Sequence, residues 1–426
     1  MNTQPWTFRG ARRRLSSLVL CAPFLVGAPI PFPASAQQPP ADPVTLKQAV
    51  DAALARLPET QAAGLRRQGA DAQERAARSW TPEPIALELS QKSDRLQSKR
   101  GERETVAGIV APLWLPGQRD RTQALAQAER DAVEGRVAAA RWRAVAAVRE
   151  AWWAAHAARQ SLEVAQARLT HAERLAGDVA RRSKAGDLSR ADQHQADGAV
   201  AAAEAELATA RAAQVKALQA LKALTGIATV AALDAAGEPV PALAAEAALA
   251  SHPVLREWAD KAEVARRTRE LAGAQTRANP ELTLATTRER GGGGEPNVQS
   301  LTIGLRIPFG SDDRQAAKIA SASADQTEAE VQLGLERERL LGDIEAAREQ
   351  LAAARQAADA SARRAVLARE TRGFYEKSFR LGETDLPNRL RIDLEDFEAE
   401  RRSARDRSEL AHAISQLRQA LGLLPD

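Results

Sequence analysis

Five pairs of landmarks in this chain are separated by one common offset: Pro84 and Pro280, Gly108 and Gly304, Pro112 and Pro308, Gly186 and Gly382, and Gly226 and Gly422. The surrounding text follows them. Leu221-Lys-Ala-Leu-Thr-Gly226 matches Leu417-Arg-Gln-Ala-Leu-Gly422, and Lys184-Ala-Gly-Asp-Leu188 matches Arg380-Leu-Gly-Glu-Thr384. Prolines and glycines punctuate the backbone, so a shared spacing means a shared succession of elements. Whatever this chain folds into is built from two copies of one unit. A breaker-rich linker near Ile227 to Pro241, with Gly237, Pro239 and Pro241, separates them. The organisation read here is a leader over 1–36, a first repeat over 37–240 and a second over 241–426.

Each repeat carries the same plan. A helix comes first, Glu59 to Arg78 and Val254 to Ala278, each preceded by a proline (Pro58, Pro253) suited to a first helical turn. Two short β segments follow. A very long helix then runs from about Gln118 to Lys184, and from about Asp312 to Arg380. A glycine turn, Gly186 or Gly382, reverses the chain into a second long helix that ends at Gly226 or Gly422, where glycine suits a C-terminal cap. Between Gln118 and Lys184 there is no proline, and Val133, Val137, Ala140, Val145, Val148, Trp152 and Ala155 recur mostly in steps of three and four, the seam of a coiled coil. About 66 residues at 1.5 Å each make a rod of roughly 100 Å, too long for a globular domain. The returning helix is about half as long, so the helix before the strands is expected to stack end to end with it. Alanine makes up about a fifth of the chain, which suits helices whose backbones approach closely. The 44% hydrophobic content excludes a disordered chain.

The β segments are the second constraint. Ile85, Leu87 and Leu89 alternate with polar or small residues, and Leu301 to Ile307 alternates more cleanly, with Thr302, Gly304 and Arg306 facing the other way. Glu104 to Leu113 and Glu281 to Thr287 complete a set of four. Polar loops, Ser93 to Arg103 and Arg288 to Asn297, join the pairs. Alternating strands near ten residues fit a transmembrane barrel, but four strands cannot close one, since the minimum is about eight. Either copies of the chain pool their strands, or the sheet is a small soluble one beneath the helices.

The first residues read as a secretory signal. Arg9, Arg12, Arg13 and Arg14 form a basic region, Leu15 to Gly27 an apolar stretch too short to span, and Ala34-Ser35-Ala36 a small-x-small cleavage site after Ala36. Leu18-Val-Leu-Cys21 is an alternative lipoprotein box, with leucine a poor fit before the cysteine. The net charge of +4 equals those four arginines, so the remainder is balanced and argues against a nucleic-acid partner. Cys21 is the single cysteine, so beyond the leader there is neither a disulfide nor a thiol nucleophile. His156, His171, His194, His252 and His412 are scattered and form no closed metal site. His194 and Asp197 are read as surface positions. The glycines at 291–294 lack the lysine and helix of a phosphate-binding loop. No catalytic, cofactor or metal residues are legible, and the chain is read as a non-enzyme. Trp80, Trp114 and Phe309 flank strand ends, where an aromatic belt would sit.

The duplicated plan, together with Pro112-Leu-Trp-Leu-Pro-Gly-Gln-Arg119, Ala151-Trp-Trp-Ala-Ala-His156 and Phe379-Arg-Leu-Gly-Glu-Thr-Asp385, resembles the outer-membrane efflux protein family, the TolC-like channel-tunnels. The resemblance covers about Val44 to Leu423. The second turn and Leu386-Pro-Asn-Arg-Leu-Arg391 look most like the CzcC-type heavy-metal efflux branch. The resemblance implies a mainly α fold with a small β part: long antiparallel coiled-coil helices plus four transmembrane strands per chain. Three chains would then form a 12-stranded barrel in outer-membrane lipid and an α-helical tunnel in the periplasm. The implied partners are two further copies in a homotrimer, a periplasmic adaptor and an inner-membrane pump of the resistance-nodulation-division type, with heavy-metal cations as cargo. A drug-efflux or type I secretion duct, or a pore-less periplasmic scaffold, are the alternatives. The glycine turns would mark the periplasmic tip, with Arg182, Lys184, Gly186, Asp187, Arg380, Leu381, Gly382 and Glu383 as candidate adaptor contacts. Relatives close the tip with aspartates six and nine residues past the second turn glycine. Asn388 and Arg391 stand there in this chain, so Asp192 and Asp385 join them as candidate aperture lining.

Overall fold

The computed structural model describes residues 44–94, 101–227, 237–292, 295–310 and 312–425. The leader with Cys21 and Ala36, residues 228–236 of the linker, and Gly293 and Gly294 lie outside the described residues.

Within the described residues the elements are α1 (Leu46–Arg56), α2 (Pro58–Ala77), β1 (Ala86–Ser93), β2 (Arg103–Pro112), α3 (Gln118–Ala185) and α4 (Arg190–Thr225). The same order then recurs in α5 (Ala245–Ser251), α6 (Pro253–Ala274), β3 (Glu281–Arg290), β4 (Val298–Arg306), α7 (Asp312–Leu381) and α8 (Leu386–Ala420). The single helix expected before each strand pair is two helices. Pro58 and Pro253 open the second of them, and each holds its preceding residue extended, Leu57 at ψ 123° and His252 at ψ 125°, which ends the shorter helix before it. Helix α6 stops at Ala274 rather than Ala278.

Helix α3 is the spine. On its strand-proximal half it packs between α2 and α6, with α7 beyond α6, and on its distal half between α4 and α8, with α7 beyond α8. The expected end-to-end stack is present, because α2 and α4 share α3 as partner and α1 packs on both α3 and α4. Leu46, Ala49, Val50 and Ala53 of α1 meet Val145, Val148, Trp152 and Trp153 of α3 and Leu221 of α4. Six of the seven seam residues expected on α3 are buried, Val133 being partly exposed. Helix α7 repeats the device. Leu340, Ile344, Ala347, Leu351 and Ala354 advance in steps of four and three against Ala413 and Leu417 of α8 and Leu421 at its C-cap.

A buried charge cluster ties the segment between the repeats to this frame. Glu238 accepts from Arg149 Nη2 at 2.6 Å and Nε at 3.2 Å, and from Arg418 Nε at 3.0 Å, while Ser415 Oγ donates to its other oxygen. Arg149 also donates to Gln419 Oε1 at 2.6 Å and Leu423 O at 3.0 Å. Two arginines and one carboxylate in low dielectric are tolerable because hydrogen bonds take up their donors and acceptors.

His252 closes the second repeat. It caps α6, its Nδ1 accepting from Val254 N–H at 3.3 Å, and its ring meets Trp142 of α3 edge-on at 4.9 Å. Burial lowers its pKa to about 4, and only the neutral ring has a nitrogen free to accept. Because the folded-state value lies below the ordinary value of about 6.5, stability is whole above that pH. It falls as pH drops towards 4, by at most about 1.4 kcal/mol per pH unit. His252→Asn keeps a capping acceptor without the charge. The melting temperature of that variant is expected to fall less steeply between about pH 7 and 4 than the parent's.

Candidate functional site

Two surfaces, the sheet and the hairpin tips, gather the residues that sequence reasoning singled out. The four strands form one antiparallel sheet in the order β1-β2-β3-β4. The repeats join where β2 pairs with β3, from Arg103↔Arg290 to Pro112↔Glu281. The strands run further into polar sequence than alternation suggested, β1 to Ser93 and β3 to Arg290, because ladder pairing with β2 continues past the apolar stretch. Gly108 is needed in that pairing, since a Cβ there would lie 2.8 Å from Ala285 Cβ.

The register sorts the side chains into rows. Leu87, Ile109, Leu284 and Ile303 form one row across all four strands, and Leu89, Ala107, Thr286 and Leu301 the next. Leu282 and Leu305 extend the same face, which is mostly aliphatic over these three rows and turns polar beyond them at Gln91, Thr105, Arg288 and Gln299. The opposite face carries Glu88, Gly108, Ala285 and Thr302, then Ser90, Val106, Thr287 and Ser300. No helix among the described residues packs on either face. Leu87 is 70% exposed, Leu301 69% and Ile303 73%. β1 and β4 each leave one edge unpaired. An apolar face with two open edges is a surface that water does not leave bare. Trp80 and Phe309, beside the strand ends, are 95% and 90% exposed, whereas Trp114 is half-buried and donates to Ser79 O at 3.2 Å.

At the far end the two turns are built alike. Gly186 and Gly382 sit at φ 89° and 78°, a region open to glycine and strained for other residues. Each closes a Schellman motif: Asp187 N–H donates to Arg182 O at 2.9 Å, and Glu383 N–H to Ser378 O at 3.0 Å. Both tips pack together through Val179, Ala196, Phe379 and Leu386. Lys184, Gly186, Asp187, Arg380, Leu381, Gly382 and Glu383 are exposed there, Leu381 at 74%. Arg182 is not free: its guanidinium lies 4.9 Å over the Phe379 ring and donates to Phe379 O at 3.0 Å, stapling one hairpin to the other.

The aperture candidates gather in the first turns after these loops. Asp192 completes a capping box with Ser189, and the hydrogen bonds from Ser189 hold its carboxyl below the usual range. Asp385 caps α8 by accepting from Asn388 N–H at 3.1 Å. Arg391 pairs with Glu395 at 2.6 Å. Asn388 and Arg391 are exposed. His194 and Asp197 are exposed, as expected.

The pairings that hold these parts together leave no signal in the sequence. Glu238 sits among linker breakers and gives no periodic signal. His171, Arg389, Asp393 and Asp396 lie on helix faces indistinguishable by period from solvated ones. Arg389 is buried against Asp393 at 3.1 Å, and Asp396 against Arg372 at 2.9 Å.

A duplicated chain with an open four-stranded sheet at one end and paired long hairpins at the other has the protomer fold of outer-membrane channels. Residues 49–227 match the family described as outer membrane efflux protein, OEP. Three solved structures share the fold. VceC of Vibrio cholerae, an outer membrane protein, is 19% identical, with 88% of this chain and 96% of that chain covered at a TM-score of 0.72. The CmeC outer membrane channel of Campylobacter jejuni is 15% identical, with 88% and 85% covered at 0.74. The open-state MtrE outer membrane channel of Neisseria gonorrhoeae is 19% identical, with 89% of each chain covered at 0.73. No curated protein matches the chain.

Removing the Arg182 staple tests the tip's construction. Arg182→Ala loses a stacked cation worth about 0.5–2 kcal/mol. Amide exchange is expected to quicken several-fold in both turns while that of α1 and α5 stays unchanged.

Proposed function

We propose that the chain is the outer-membrane channel of a tripartite efflux system and that it exports heavy-metal cations. The observation that carries the channel reading is the sheet, with an exposed aliphatic face, a polar opposite face and two unpaired edges. Three copies pairing β4 of one with β1 of the next use up every edge and give twelve strands. That number encloses a lumen, whereas four strands enclose nothing. The aliphatic rows then face lipid and the Glu88, Thr302 and Ser300 face lines water. The helical hairpins extend the passage through the periplasm. Exposed Leu381, Lys184 and Arg380 at the tip meet a periplasmic adaptor, and Asn388 and Arg391 stand one to two helical turns inside it.

The metal cargo rests on narrower ground, the likeness of the second turn and Leu386–Arg391 to the heavy-metal branch. A duct of this kind ligates nothing tightly. The inner-membrane pump chooses the cargo, and carboxylate or arginine rings formed by three-fold symmetry adjust passage.

Purified protein is expected to run as a trimer and to give discrete conductance steps in a planar bilayer. Ile303→Arg places a cation on the lipid face at a cost of about 2–4 kcal/mol per chain, and is expected to abolish membrane insertion while leaving the helical circular dichroism intact. Insertion by the arginine variant at the parent's level, or a soluble monomer without conductance, would overturn the channel reading.

For the cargo, a strain lacking the protein is expected to become several-fold more sensitive to at least one of zinc, cobalt, cadmium or copper. Unchanged tolerance to all four removes the metal reading and leaves the channel intact.

A further inference from the structure

Every helix that joins the sheet does so at one end. Helix α2 precedes β1 at Ala86, α3 follows β2 after Pro112, α6 precedes β3 at Glu281 and α7 follows β4 after Arg306. The opposite end carries only the joins of β1 to β2 and of β3 to β4. Charge is arranged there against the usual preference. Arg103 of β2 stands directly opposite Arg290 of β3, and Glu104 directly opposite Glu289. Opposed like charges destabilise a strand pair. A slip of one residue would set Arg103 against Glu289 and Glu104 against Arg288, but it would also turn every apolar side chain to the other face.

Alternation then separates the signs. Arg103, Arg288 and Arg290 share the face of Leu87, Ile109, Leu284 and Ile303, whereas Glu104 and Glu289 lie on the other face, where Lys92 stands beside Glu104. The three arginines are exposed, and the strand residues around them on their own face, Gln91, Ser93, Thr105 and Gln299, carry no charge. Among the described residues, the sheet's cross-strand ion pair is at the helix end, where Arg306 meets Glu281 at 3.3 Å.

We propose that Arg103, Arg288 and Arg290 form a docking site for the phosphate groups of the phosphorylated glycolipid in the outer leaflet of the membrane.

The site rests on the channel reading, in which the aliphatic rows face lipid, and it continues those rows. Arg290 lies eight residues beyond Leu282 on the same face of β3. At 3.4 Å per residue that is about 27 Å of strand, or roughly 21 Å of height at a tilt of about 40°. The arginines therefore stand where an apolar band about 25 Å tall gives way to headgroups. With the helices in the periplasm, this edge of the band is the outward one.

The chemistry of the occupant follows from the charges. Guanidinium groups stay ionised and grip phosphate oxygens through two parallel hydrogen bonds. Arg103 and Arg290 are neighbours across the ladder, and Arg288 is about 7 Å further along β3. A cluster of that spread suits a headgroup with more than one phosphate. An anion lying over it offsets the repulsion that the register imposes. Glu104 and Glu289, on the face that lines water, are left to dissolved cations.

Fluorescent bis-phosphorylated lipid A, titrated against the purified trimer in detergent, reads the site. Each arginine near an anionic headgroup is worth about fivefold in affinity. Arg103→Gln/Arg288→Gln/Arg290→Gln is therefore expected to weaken binding about a hundredfold, and Arg288→Gln alone several-fold, which keeps the test valid if the triple variant folds poorly. Lys92→Gln, beside Glu104 on the opposite face, is expected to bind as the parent does. Unlabelled lipid A should displace the probe, while dephosphorylated lipid A, phosphatidylglycerol and inorganic phosphate at the same concentrations should not. Parental affinity in the arginine variants, an equal loss in Lys92→Gln, or displacement by any of those three competitors would overturn the docking site. Planar-bilayer conductance, measured on the same samples, keeps the two readings apart: a conducting triple variant that still binds lipid A tightly removes the docking site and leaves the channel.

Discussion

Everything in this structure leans on α3. A helix of 68 residues cannot be buried by any single neighbour of ordinary length, so the fold supplies partners in relay: α2 and α6 near the strands, α1 in the middle, α4 and α8 towards the tip. Small side chains make the relay possible. Ala139, Ala140, Ala155 and Ala165 are buried along α3, with Ala203 opposite on α4. The large residues are kept for the middle, where Trp152 and Trp153 fill the space that α1, α3 and α4 leave between them. Most of the helical stability must come from this packing, because long helices draw more on a buried face than on intrinsic propensity.

Charge is distributed by the same logic. Arginine–carboxylate pairs lie where geometry must not change: α2 on α3 through Arg67 and Glu134 at 2.8 Å, α3 on α6 through Arg143 and Glu257 at 2.9 Å, and the inter-repeat segment through Glu238. Histidine–carboxylate pairs lie where one hairpin meets the other. The sheet stands apart from this frame. Among the described residues no helix packs on it, and its apolar rows and two edges stay uncovered within the chain.

Much of this was legible in the sequence. The repeat landmarks gave the element order, the proline-free stretch gave α3 to within a residue of its end, and alternation gave the aliphatic face of β4. The errors share one cause, which is that local pattern does not report partners. Pro58 and Pro253 predict the opening of a first helix, and the short helices before them give no signal because α1 and α5 are too brief to show a period. The strand ends ran into polar sequence because ladder pairing, not hydropathy, ends a strand. The capping roles of Asp192 and Asp385 depend on the backbone N–H groups that the turns present to them.

What the sequence determined by itself was the succession of elements and the face each must bury, since both follow from spacing along one chain. Only the tertiary structure decided which charges meet. Glu238 with Arg149 and Arg418, Arg182 with Phe379, His171 with Asp393 and His412 with Glu150 are all distant in sequence. Their encounters depend on the register at which helices slide past one another. A side chain's period along its own helix is the same whether it faces water or a partner, so the chemistry of the seam appears only once the helices are packed.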